Sequence, residues 1–213
     1  MKNTILSVMA IVSCALFTPK TQAELIIINI TATVNIVNDF GNYLEGKIHV
    51  GDTITGSYTY ESTTPDTAPF NDPTVGDYWH HSQPCGIFLT VGGFQFKTDS
   101  TNVSFLVEVI NDKSDIGDAY TLISYNNLSL SNGVAVDGIS WQITDNTATA
   151  LSSDALPVTA PKFLSQWQYN DLSLYGEHSG YGIDATVISA EVIPEPATLL
   201  LLGTGIILLR KRI

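Results

Sequence analysis

No arginine precedes Arg210, and only 14% of the 213 residues are charged. Between Glu24 and Glu195 stand all 21 acidic residues but only four basic ones, Lys47, Lys97, Lys113 and Lys162. Phosphate backbones are bound by clustered lysine and arginine, so nucleic acid is excluded as a partner. Cysteine is nearly absent, with only Cys14 and Cys85. Recurrent catalytic signatures are missing too. There is no Gly-x-Ser-x-Gly elbow, no His-Glu-x-x-His, no phosphate-binding loop and no dinucleotide fingerprint. No catalytic residue is therefore nominated, and the chain is not expected to be an enzyme. What it has instead is apolar sequence, 44% of residues, which is enough to bury one sizeable core and excludes a wholly disordered chain.

Long uncharged runs sit at both ends. Lys2 is followed by the apolar stretch Ile5 to Phe17 and by Thr21-Gln22-Ala23. That is the layout of a secretory signal peptide over residues 1–23, with cleavage after Ala23. Two alternatives stay open: an N-terminal anchor, for which about 13 apolar residues are too few, and a lipidated Cys14. Removing residues 1–23 takes Cys14 away and leaves Cys85 without an intramolecular disulfide partner. At the other end, Pro194-Glu195-Pro196 precedes the uncharged run Ala197 to Leu209, and Arg210-Lys211-Arg212 closes it. Such an order predicts one short hydrophobic helix whose basic triplet stays cytoplasmic while the domain lies across the membrane. Thirteen helical residues reach about 20 Å against roughly 30 Å of hydrocarbon, which suits a transient tether better than a lasting anchor.

Together, Pro194-Glu195-Pro196-Ala197-Thr198, the leucine-rich run with Gly203 and Gly205, and the terminal basic triplet resemble a PEP-CTERM sorting signal, here spanning 193–213. The resemblance implies an exosortase-type membrane enzyme as processing partner and an exported protein. The precursor would be tethered at the inner membrane by its C-terminal helix, and the product delivered to the cell surface or extracellular matrix. It also implies a host that makes exopolysaccharide or biofilm. Pro194, Glu195 and Pro196 would be the recognition element, kept extended because proline restricts its neighbour and donates no backbone hydrogen bond.

Residues 24–192 read as a β domain. Ile26, Ile28, Ile30, Ala32, Val34 and Ile36 alternate with polar or less buried positions, which predicts one long strand with a buried face. Ile48 and Val50 continue the theme, and Ile54, Tyr58 and Tyr60 alternate with threonine and serine. Gly92-Gly93 between two apolar alternations marks a hairpin. Further strands are expected at 103–110, 119–125, 134–143, 167–174 and 181–193. No amphipathic helical pattern occurs between Glu24 and Ile193. Many short strands separated by Gly, Asn and Asp predict an all-β fold, an antiparallel β-sandwich of jelly-roll-like type. Residues 61–77 and 145–162 are expected to be long surface loops.

Three groups of side chains are candidates for chemistry. Asp112, Asp115 and Asp118 supply oxygen at a density suited to Ca²⁺, though not with EF-hand spacing; a solvated turn explains them equally. His80, His81 and Cys85 lie close in sequence, but adjacent residues on a strand point to opposite faces, so no metal site is assigned. Tyr78, Trp79, Trp167, Tyr169, Tyr175 and Tyr181 fall in or near loops, and Trp79, Trp167 and Tyr169 are taken as candidate rings for stacking on sugars. No cofactor is expected apart from the candidate Ca²⁺. The leading functional expectation is a non-catalytic structural or interaction protein. The alternative is a carbohydrate-binding module of the exopolysaccharide, which requires at least two solvent-exposed aromatic rings on one face; a secreted hydrolase ranks last.

Overall fold

A computed structural model describes residues 24–69 and 72–193. The signal peptide expected over residues 1–23 with cleavage after Ala23, the tripeptide Pro194–Pro196, the uncharged run 197–209 and the triplet Arg210–Arg212 lie outside the described residues. No helix among the described residues is long and apolar enough to cross a membrane.

Ten strands form the fold: β1 Leu25–Asp39, β2 Thr53–Glu61, β3 Val75–His80, β4 Gly86–Val91, β5 Phe94–Lys97, β6 Phe105–Lys113, β7 Gly117–Ser124, β8 Gly138–Asp145, β9 Tyr169–Gly176 and β10 Tyr181–Val192. All pairings are antiparallel. They build one sheet in the order β3-β6-β7-β8-β9-β10-β1-β2-β4-β5. A 3₁₀ turn at Leu164–Gln166 precedes β9. The all-β expectation holds. The pairing does not show two separate sheets or a jelly-roll order; β6 to β10 form a simple meander, and a single sheet is curled over on itself.

The curl follows from the aromatic contacts. β2 and β8 are four strand spacings apart, which is about 19 Å in a flat sheet. Yet Tyr58 of β2 and Trp141 of β8 pack edge-on with ring centroids 6.0 Å apart. Tyr60 of β2 likewise meets His80 of β3 at 6.2 Å, although seven spacings separate those strands. The two halves therefore face each other across one continuous core, which takes side chains from β1 through β10.

Local pattern explains most of this. In β1 the alternate residues Ile26 to Val34 are buried. Ile36, expected on the same face, is instead exposed. The register against β10 shifts between Val34 and Ile36, so Asn35 is an extra residue. One inserted residue reverses the alternation beyond it. Ile48 and Val50 lie in a turn-rich connection and not in a strand.

The expected loops differ more. Val75–His80 forms the edge strand β3, where a loop was expected up to residue 77. Its free side is covered: Thr67 N donates to Asp77 O at 2.9 Å, and Asp77 N donates to Asp66 Oδ1 at 2.9 Å. Such cover keeps an edge from pairing with another chain. Residues 146–163 contain no strand, but they are pinned to the domain. Tyr60 and Tyr78 donate their hydroxyls to Pro157 O (2.7 Å) and Asp154 O (3.0 Å), and Leu151 and Leu156 pack on the core.

Candidate functional site

Strands alternate their side chains, so the half-sheet β3-β6-β7-β8-β9 has an outer face as well as a core face. On β3, Tyr78 and His80 point inward, while Asp77 and Trp79 point outward. The cross-strand register sets two outer rows. Asp77 pairs with Glu108, Glu108 with Thr121, Thr121 with Gln142 and Gln142 with Asp171. Trp79 pairs with Leu106, Leu106 with Ile123, Ile123 with Ser140 and Ser140 with Ser173.

Beside the second row is a line of aromatic rings. Trp79 stacks on Tyr125 with centroids 5.5 Å apart and planes 23° from parallel. His81 stacks on the same indole at 5.9 Å and 9°. Tyr125, just past the end of β7, is 47% exposed. Tyr175 of β9, 39% exposed, lies across Gly138 of β8, where any Cβ would run into its ring. A side chain there would displace the ring, so glycine suits that close approach. Tyr169 stands at the other end of β9, 48% exposed and about 20 Å from Tyr175 along the strand.

The acids beneath these rings are perturbed. Burial, reinforced by the neighbouring Asp77, holds the Glu108 carboxyl above its usual range. Burial, then the charge of Asp66, does the same to Asp77, while Glu108 opposes it as a hydrogen-bond partner. Asp77 Oδ1 is buried with no hydrogen-bond partner. Farther along, Ser173 Oγ lies 2.7 Å from Asp171 Oδ2 and 2.9 Å from Asp184 Oδ1. This face thus combines flat π surfaces with hydrogen-bond acceptors, the chemistry that ring C–H and hydroxyl groups of a sugar would meet.

The residues nominated from sequence are scattered. Trp79 is in the aromatic row and Tyr169 is on the same outer face. Trp167 is only 7% exposed, packs in the core and donates Nε1–H to Lys162 O at 3.3 Å, so it offers no free ring. Tyr78 and Tyr181 are buried as well. Tyr125 was missed; its parity in β7, odd with respect to buried Tyr120 and Leu122, was the available signal.

Asp112, Asp115 and Asp118 do not converge on a cation cage. Asp118 is fully buried, and its carboxylate accepts from Asp112 N (2.9 Å), Ala150 N (2.9 Å) and Leu151 N (2.8 Å). It fastens the 146–163 segment to β7. Among the described residues no three His, Cys, Asp or Glu side chains are grouped to hold a metal ion. His80 and His81 diverge as strand geometry requires. Burial pushes His80 down to about 4, with a smaller contribution from the neighbouring His81. Cys85 is a buried free thiol, raised to about 11 by burial and then by Glu61. Such a thiol is a poor nucleophile.

A family model of the PEP-CTERM protein-sorting motif matches residues 192–212. The tail is a PEP-CTERM signal. It marks the chain as an exported protein, tethered at a membrane until an exosortase processes it and surface-associated afterwards. No curated protein and no solved structure matches the chain. The PEP-CTERM match begins at the last residue of β10, so the sorting signal follows the sheet with no intervening domain.

Proposed function

We propose that the domain is a non-catalytic interaction module of the exopolysaccharide or extracellular matrix, delivered by its PEP-CTERM tail, and that it binds polysaccharide on the outer face of β3-β6-β7-β8-β9. The observation that carries this reading is the row of half-buried Trp79 and exposed Tyr125 and Tyr175 on one face, beside the carboxyl groups of Asp77 and Glu108. Exposed aromatic rings lose little by covering the apolar side of a sugar, and their cost of ordering is small because the sheet already fixes them. A non-catalytic role is favoured by the placement of Asp77 and Glu108, which stand side by side on adjoining strands of one sheet face rather than on opposite walls of a cleft. Glycoside hydrolysis needs carboxyl groups about 5 Å or more apart, flanking the bond.

The test is retention of the protein, released by its native host, in affinity electrophoresis through gels containing the host's exopolysaccharide. Tyr125→Ala and Tyr175→Ala should each weaken retention by roughly fivefold to tenfold, as expected for loss of one stacking ring. Unchanged retention in the double variant would sink the proposal. A fall in polysaccharide chain length during incubation would point instead to a hydrolase.

A further inference from the structure

The domain has an apolar rim where the chain leaves it. Phe163 is 70% exposed and Ile188 61% exposed, and Val158 and Val192 are exposed beside them. Residues 159–165 and 188–192 line one open cleft of about 690 Å³. Two backbone irregularities produce this rim. Ile188 is the extra residue of a bulge in β10, between the pairs Thr31–Ser189 and Ala32–Val187. Phe163 has a left-handed backbone with φ of 51°, which is costly for a bulky side chain and here turns the ring to solvent.

The position of the rim constrains what meets it. β10 ends at Val192, and the uncharged run of the tail begins at Ala197. Four residues from Ile193 span at most about 14 Å. β1 starts next to the same strand end, since Ile28 pairs with Val192 and Ile193 N donates to Ile27 O at 2.8 Å. Both apolar ends of the chain, Ile5 to Phe17 and Ala197 to Leu209, thus leave the domain from adjacent strands. A bilayer holding the tail lies within reach of Phe163 and Ile188. Lys162 stands beside Phe163 in the lining of this cleft, and Glu191 lines its other side.

We infer that Val158, Phe163, Ile188 and Val192 form a membrane-contact surface, which rests in the lipid interface while the tail tethers the domain and so orients the Pro194–Pro196 segment for processing. The inference rests on the sorting-signal reading. Apolar side chains at an interface gain by leaving water, and a cation beside them suits lipid phosphates.

The test is hydroxyl-radical footprinting of the full chain in vesicles of phosphatidylethanolamine with a minor share of phosphatidylglycerol, compared with protein released after tail processing. Phe163 and Ile188 should oxidise several-fold more slowly on the vesicles. Phe40, exposed next to the opposite end of β1, should not change. Alkaline extraction of the same vesicles reports tail insertion separately. A tail that resists extraction, with Phe163 and Ile188 oxidising as fast as in released protein, overturns the inference and leaves the sorting reading standing. Equal protection in the full chain without lipid means that the tail itself covers the rim, and also overturns it. An extractable tail defeats both. In the double variant Phe163→Asn, Ile188→Thr, vesicle partitioning should weaken by at least roughly tenfold. Asparagine tolerates the left-handed backbone and threonine suits a strand, so this variant should fold.

Discussion

The two halves of the curled sheet share one core but differ outside. The outer face of β1-β2-β4-β5 is built mostly from Asn29, Thr31, Thr33, Thr55, Ser57, Thr59, Thr90 and Gln95, with Ile27, Phe88 and Lys97 half-buried among them and the Thr55 and Thr90 hydroxyls 3.2 Å apart. The outer face of β3-β6-β7-β8-β9 carries Trp79, Tyr125, Tyr169 and Tyr175 with Asp77, Glu108 and Asp171. Threonine suits a solvated strand: it is β-branched, offers a hydroxyl to water and exposes only one methyl group. Exposed rings and half-buried acids are not inexpensive. They leave apolar area in water and disfavour ionisation. The proposed binding face rests on this difference, with three exposed tyrosines on one half and none on the other.

That comparison holds only if the halves fold as one unit. Trp141 tests this most severely. It is fully buried, packs edge-on against Tyr58 and Tyr120, and donates Nε1–H to Asn170 Oδ1 at 3.0 Å. Trp141→Ala should cost about 3–5 kcal/mol, through lost burial and the cavity left behind. In urea, near-ultraviolet circular dichroism and exchange of β1–β2 and β7–β8 amides should then lose structure at one midpoint. Two separated midpoints would break the single-core premise.

How legible each half was in the sequence depended on what fixed it. Ile26 to Val34 could be read because one buried face imposes period two, and Gly92-Gly93 because a tight turn needs positive φ, observed at both glycines. Ile36 could not, since the bulge at Asn35 is set by pairing with β10, some 150 residues downstream. β3 was hidden because Gly76, Asp77 and His80 are weak strand formers, held in place by β6 and by Asp66. Asp118 looked like a cation ligand because aspartates were dense around it; its real partners are backbone amides 32 and 33 residues away. Of the rings, Trp79 and Tyr169 fell on the outer face, but Trp167 was drawn into the core by the pinned 146–163 segment, which composition alone makes look like free loop.

The charged row offers a smaller test. Glu108 and Asp77 have carboxyl pKa values raised in the folded state, chiefly by burial. Stability from a raised carboxyl is fully present below the unfolded pKa and is lost as pH rises through the folded one. Glu108→Gln keeps the hydrogen-bonding shape without the charge. Its stability relative to wild type should therefore increase between about pH 4 and neutrality, by under roughly 1 kcal/mol because solvent screens this face. The difference between the two proteins is the quantity to measure, because His80 acts in the opposite sense. Its lowered pKa, about 4, adds stability as pH rises from the folded value toward the ordinary histidine range. A gap between variant and wild type that shrinks with rising pH would mean that the carboxyl row is not strained.

The smallest expected effect is the one that guards the comparison. Thr90 donates its hydroxyl to Thr55 O at 3.1 Å on the exposed threonine face. Thr90→Val keeps the β-branch and the volume, so stability should move by less than about 0.5 kcal/mol. Retention in exopolysaccharide gels should not move at all. Hydroxyl-rich strands also hydrogen-bond sugars, so this null result carries information. If Thr90→Val weakens retention as much as Tyr125→Ala, the polysaccharide is held by the threonine half or by both, and the aromatic row loses its claim to be the binding face. If only the ring variants respond, the two halves differ in function as they differ in composition: one closes the core, and the other uses the flat rigid strands beneath it to hold aromatic rings where a polymer can reach them.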